Sequence, residues 1–229
     1  MNSDPASSSF SDPQAVARYA EGPPRTVPGF ASLHRMTTLL LAERVPATGR
    51  VLVLGAGGGL ELKAFATVHS GWSFDGVDPS SEMLGLAQRT LGPHAPRVRW
   101  RQGTIEAAPH GPFDGATCLL TLHFLSRAER RKTLAELHRR LAPGAPLVVA
   151  HLSMPSEEEG RSVWFSRYAS FAVASGVESA KASTAGAAMR KHLTILSPEE
   201  DELALHEAGF SGVSLFYAGF AFRGWVAYA

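Results

Sequence analysis

An apolar run, Val51-Leu52-Val53-Leu54, enters a loop with glycines at 55, 57, 58 and 59, and Leu60-Glu61-Leu62-Lys63-Ala64-Phe65 then follows a helical pattern. Few folds accommodate that succession. The run reads as a buried strand, and the glycines permit a tight turn that leaves bare backbone N–H groups beside a ligand at a helix start. Their spacing separates two kinds of ligand. A dinucleotide fingerprint, G-x-G-x-x-G, places its third glycine at Leu60, whereas residues 55, 57 and 59 make G-x-G-x-G.

The chain alternates after that loop. Strands are expected at Arg50–Leu54, Ser73–Val77, Val98–Arg101, Phe113–Leu120 and Pro146–His151, with helices at 60–69, 81–91 and 127–141 between them. Such alternation predicts an α/β fold, a doubly wound parallel sheet with helices on both faces and a ligand crevice beyond the carboxyl ends of the strands. An amphipathic helix over about residues 30–44 precedes the first strand. Residues 155–195 interrupt the alternation with an apolar stripe, Trp164, Phe165, Tyr168 and Phe171, read as one or two inserted helices. A helix opens at Pro198 behind Ser197 and ends at Gly209. Strands Gly212–Tyr217 and Phe220–Tyr228, joined by Ala218-Gly219, are too close for a crossover and require an antiparallel hairpin. Residues 1–12, rich in Ser, Asp and Pro, read as a disordered tail, and 13–229 as a single domain.

A net charge of +1 gives no overall field for nucleic acid or an anionic membrane. The one cysteine, Cys118, lies in an apolar run and suits a reducing, cytoplasmic setting. Neither a secretory leader nor a membrane span is expected. Arg97, Arg99 and Arg101, and the Arg127–Arg140 cluster, read as edge protection and a solvated helix face; nucleic acid is disfavoured as a partner but stays open.

The G-x-G-x-G turn resembles motif I of the class I S-adenosylmethionine-dependent methyltransferases. The resemblance implies a seven-stranded, mostly parallel sheet with an antiparallel C-terminal hairpin strand, N-terminal helices and a helical insertion before the sixth strand. It narrows toward the carboxy-S-adenosylmethionine synthase branch, which serves tRNA wobble uridine modification. Arg25-Thr26-Val27-Pro28-Gly29-Phe30, Thr121-Leu122-His123-Phe124-Leu125, Leu141-Ala142-Pro143-Gly144 and Leu205-His206-Glu207-Ala208-Gly209-Phe210 carry it.

The implied cofactor is S-adenosylmethionine, with S-adenosylhomocysteine as product. Gly55, Ala56, Gly57 and Gly59 form its turn. Asp78, at the tip of the second strand beside Pro79, is placed to accept both ribose hydroxyls. Thr104 and Ile105 are placed at the adenine, and Phe30 and Leu119 occupy positions where the synthase has an aromatic hydroxyl and an amide. Three departures stand out. The family's acid before the turn is Val53, its usual Asp after Gly103 is Thr104, and the synthase arginine that grips the extra carboxylate aligns with Gly186. The missing arginine implies a methyltransferase on a small-molecule acceptor; a carboxy-S-adenosylmethionine synthase-like enzyme, a non-catalytic nucleotide-binding relative in keeping with Val53 and Thr104, and a homodimer stay open. No catalytic base and no metal site are assigned. His123 is either a base or a packed histidine, with the latter favoured.

Overall fold

The structure, a computed structural model, describes Asp12, Val16 and residues 18–229, so the expected tail over residues 1–11 lies outside the described residues. Apolar runs set the sheet. β1 (Arg50–Leu54), β2 (Ser73–Asp78), β3 (Val98–Gln102), β4 (Gly115–Leu119), β5 (Pro146–Leu152), β6 (Ser211–Gly219) and β7 (Phe222–Tyr228) lie in the order β3-β2-β1-β4-β5-β7-β6. The first five pair in parallel, and β7 runs antiparallel to both β5 and β6. The sequence-predicted architecture is therefore the observed one.

Alternate residues face two separate cores. Val51, Val53, Phe74, Val148 and Val226 pack on one face; Leu52, Leu54, Val77, Cys118, Val149 and Trp225 pack on the other. Two apolar faces are what a sheet covered on both sides requires. Helices α1 (Gly22–Thr26), α2 (Phe30–Ala42), α3 (Leu60–Val68), α4 (Ser81–Leu91) and α5 (Arg127–Arg140) precede or connect strands β1–β5. Ser80 caps α4 by accepting from the Met83 amide, and Ser126 with Glu129 forms a capping box on α5.

The insertion resolves into two helices, α6 (Glu158–Ala174) and α7 (Ser179–His192), and α8 (Pro198–Glu207) starts behind a Ser197–Glu200 capping box. Two of the strand boundaries that move have a visible cause. The fourth strand begins at Gly115 rather than Phe113, because Phe113 pairs instead with Leu141 in an isolated bridge. The hairpin turn lies at Phe220-Ala221 rather than Ala218-Gly219, since the ladder continues through Ala218–Arg223 and Gly219–Phe222. Phe220 takes a left-handed φ of 50° there.

β1 and β4 are neighbours although β2 and β3 intervene in sequence. Their carboxyl ends mark the switch point where open α/β sheets place ligands. No helix among the described residues is long and apolar enough to cross a membrane.

Candidate functional site

At that switch point lies a cavity of about 260 Å³, lined by Gly55, Gly57, Asp78, Pro79, Thr104, Ile105 and Leu119, seven of the ten positions singled out in the sequence. The turn after β1 is built by steric necessity. Gly55 has φ 77°, and a Cβ on it would come within 2.0 Å of Thr121 Oγ1. Gly59 has φ 79°, and a Cβ would press on Leu91 and Ala87 of α4 at under 3.0 Å. A Cβ on Gly57 would enter the cavity beside Met83 Cε.

The expectation of bare amides needs correction. Gly55 and Ala56 both donate to Val77 O (2.8 and 2.9 Å), Gly57 donates to Asp78 Oδ2 (2.9 Å) and Gly59 donates to Ala56 O (2.9 Å). Those four N–H groups are spent inside the protein. The glycines supply close approach of backbone, while the polar recognition falls to Asp78. Ala56 and Gly59 shape the turn without bordering the cavity. Phe30 does not border it either; its ring packs on His34 with centroids 4.3 Å apart.

Asp78 is buried, with Oδ2 held by Gly57 and Oδ1 accepting from the Ser80 amide at 2.9 Å. Each oxygen keeps lone-pair capacity for one more donor. Burial pushes its pKa up against the pull of those two amides. The Thr104 hydroxyl donates to Glu106, leaving its oxygen able to accept.

Sequence reasoning missed several lining residues, among them Tyr19, Met83 and Leu120. Tyr19 comes from a 3-10 turn before α1 with no motif around it, and lies across Gly57 and Gly58. Burial pushes its phenol up to about 12, so it serves as a neutral hydroxyl. Leu120 holds φ 55° at the tip of β4, a conformation costly for a branched side chain and found where function over-determines the backbone.

Glu61 was also missed. It sits in the first turn of α3, fully buried, and its Oε1 accepts from Thr117 Oγ1 at 2.7 Å. Thr117 is the β4 neighbour of Val53. A carboxyl thus stands beside the strand position whose acid is missing. Burial lifts Glu61 from 4.5 to about 8.

A second cavity, about 460 Å³, adjoins the first, and Tyr19, Leu120 and Phe124 border both. Its far side is the insertion: Tyr168 of α6 and Ala185, Ala188 and Met189 of α7. Trp164 and Phe171 instead pack under Arg223 and against Phe220. His123 borders this cavity as a buried, neutral ring, its pKa driven well below 6.5 first by burial and then by His151 and Arg130. Its Nδ1 accepts from the Leu152 amide at 3.2 Å, which leaves the proton on Nε2. The ring is packed, with its acceptor nitrogen already used by the backbone.

Residues 51–144 match the family model described as a methyltransferase domain. Over 223 residues, 95% of the chain, it is 29% identical to the carboxy-S-adenosyl-L-methionine synthase of Chromohalobacter salexigens, covering 82% of that protein. The chain is thus similar to methyltransferases over the stretch from the glycine turn to Gly144, and to that synthase over most of its length. Among solved structures it resembles an O-methyltransferase family protein from Burkholderia thailandensis (TM-score 0.70, 15% identity, 98% of this chain and 62% of that one). It also resembles human N-acetylserotonin methyltransferase in complex with S-adenosylmethionine (TM-score 0.63, 15% identity, 97% and 56%). The chain thus spans roughly three fifths of those two chains and shares their fold.

The synthase-like features are incomplete in this chain. Gly186 on α7 has nothing within 4 Å of an added Cβ. The neighbouring cation Arg190 pairs with Glu158 and covers the Phe165 ring at 4.7 Å, and it borders neither cavity.

Proposed function

We propose that this protein transfers a methyl group to a small-molecule acceptor, with the cofactor in the first cavity and the acceptor in the second. One observation carries the reading: Asp78 reaches from the end of β2 across the glycine turn, bordering a cavity that opens toward a second one. The donor set fits an adenosyl group. A carboxylate with spare acceptor capacity suits a vicinal diol, and Thr104, Ile105 and Leu119 offer a hydroxyl and apolar contact for a base. When bound, the cofactor supplies an electrophilic methyl carbon on a sulfonium.

Glu61 does not border the first cavity, but it lies against Thr117 beside Val53, and in this reading it takes the place of the acid missing there. It has no cationic partner among the described residues' ion pairs, and a ligand ammonium would supply one. The residues around the partition hold and orient; none is poised to take a proton. His123 presents N–H, and Tyr19 keeps its phenolic proton. Orientation and exclusion of water are then the chain's contribution, worth roughly 7–11 kcal/mol where alignment is good.

The test is calorimetry with S-adenosylhomocysteine. Asp78→Asn is expected to weaken binding by about tenfold or more, the loss of one charge-assisted acceptor. An unchanged affinity places the adenosyl group elsewhere. We further read the protein as cytoplasmic, in keeping with a single free, buried Cys118.

A further inference from the structure

The second cavity has a chemical character that the first lacks. Besides Tyr19, Leu120 and Phe124 it is bordered by Val27, Leu152, Met189, Leu193 and Phe222, and no Asp, Glu, Lys or Arg stands among its lining residues. Its polar side chains are those of Tyr19, Thr26, His123, Tyr168 and His192. His123 offers its Nε2 proton, and the Tyr168 phenol is raised by burial beside Thr26. Two arginines on adjoining elements are committed elsewhere: Arg190 to Glu158, and Arg223 to the Phe220 and Phe222 carbonyls with its guanidinium over Trp164. An anion entering this space would give up its hydration with no Lys or Arg to meet it, only imidazole at His123 and His192, and a lone ionised carboxylate in an apolar site is the costliest group to bury. A neutral apolar molecule loses nothing comparable and gains by burial. One hydrogen-bonding atom on it would find a donor at His123.

We propose that the acceptor of this protein is an uncharged, predominantly apolar molecule carrying a hydrogen-bond acceptor such as a hydroxyl oxygen, and that anionic acceptors are excluded. The inference rests on the reading of the second cavity as the acceptor site. It separates this chain from a synthase whose site must hold a carboxylate.

The experiment uses the full chain saturated with S-adenosylhomocysteine and two probes that differ by one carboxylate, 2-naphthol and 3-hydroxy-2-naphthoate. Calorimetry is expected to give at least about tenfold tighter binding of the neutral probe. Ala188→Trp, on the exposed side of α7, is expected to weaken 2-naphthol by about tenfold or more while S-adenosylhomocysteine binds within about twofold of wild type. Met189→Arg adds the missing cation and is expected to reverse the preference toward the carboxylate. Equal or tighter binding of 3-hydroxy-2-naphthoate to the unmodified chain overturns the proposal. So does a failure of 2-naphthol to bind a protein that does take up S-adenosylhomocysteine. If S-adenosylhomocysteine itself does not bind, the assignment of the first cavity falls instead.

Discussion

Glu61 is the residue whose surroundings contradict its position in sequence. In Leu60-Glu61-Leu62 an acid in the first turn of a helix reads as a dipole-complementing surface charge. Packing of α3 over the sheet puts it instead against Thr117, fully buried and close enough to Asp78 for their charges to interact. In the unfolded chain it ionises near 4.5; in the fold it keeps its proton to about pH 8. Below pH 4.5 both states hold the proton and there is no penalty. Between those values the folded state holds a proton that the unfolded state has released, so stability falls by about 1.4 kcal/mol per pH unit. Above pH 8 the loss is complete. Glu61→Gln removes that slope and keeps an acceptor for the Thr117 hydroxyl. Its urea midpoint is expected to gain on wild type steadily from pH 5 to pH 8; parallel curves would show that Glu61 does not hold the proton. If Glu61 meets a ligand ammonium, S-adenosylhomocysteine binding at pH 7 releases a proton, visible as a dependence of the calorimetric heat on buffer ionisation enthalpy and absent in Glu61→Gln.

At the scale of elements, strands and helices were legible because the β1–β5 region alternates short apolar runs with capped, periodic segments. Ser80, Ser126 and Ser197 each sit where a helix begins. What the sequence hid are the long-range ties between elements. Arg97 and Arg130 looked like members of exposed basic clusters. Arg97 instead donates to the carbonyls of Ala66, His69, Ser70 and Trp72, satisfying the carboxyl end of α3 and the loop after it. Arg130 is 1% exposed; it pairs with Asp201 of α8 at 2.6 Å and donates to Leu122 O and Thr194 O at 3.0 and 2.7 Å. That one guanidinium joins the turn bearing His123, the strand of chain leaving the insertion, and α8. Removing it leaves the buried Asp201 carboxylate with His151 at 3.0 Å in place of a guanidinium, and takes the donor from Thr194 O. Arg130→Ala is expected to cost about 3–5 kcal/mol in denaturant unfolding. Faster amide exchange at Thr194 and neighbouring residues would accompany it, and a loss below about 1 kcal/mol would show the pair to be solvated. Periodicity announces a basic face but cannot say which arginine the next domain layer will bury.

For the molecule as a whole, the charge pattern decides between partners. The basic run on α5 is largely answered within the chain: Arg127 by Glu200, Lys132 by Glu106, Arg139 and Arg140 by Glu136. On β3, the outermost strand, Arg101 pairs with the buried Asp75. With a net charge of +1 and these pairs in place, most cations of α5 are answered within the chain among the described residues. RNA binding should therefore show a salt slope close to zero rather than the steep loss that several phosphate contacts produce. The small-molecule reading makes the opposite demand. A ligand that binds only the folded state stabilises it by about 2.7 kcal/mol at 100 times its dissociation constant. For a chain of 229 residues, where 1 kcal/mol moves the midpoint by about 2–4 °C, that is roughly 5–10 °C. S-Adenosylhomocysteine is expected to raise Tm by that amount, and transfer RNA at the same excess by none. A shift with RNA and none with S-adenosylhomocysteine would mean that the glycine turn and Asp78 frame a crevice that no adenosyl group enters.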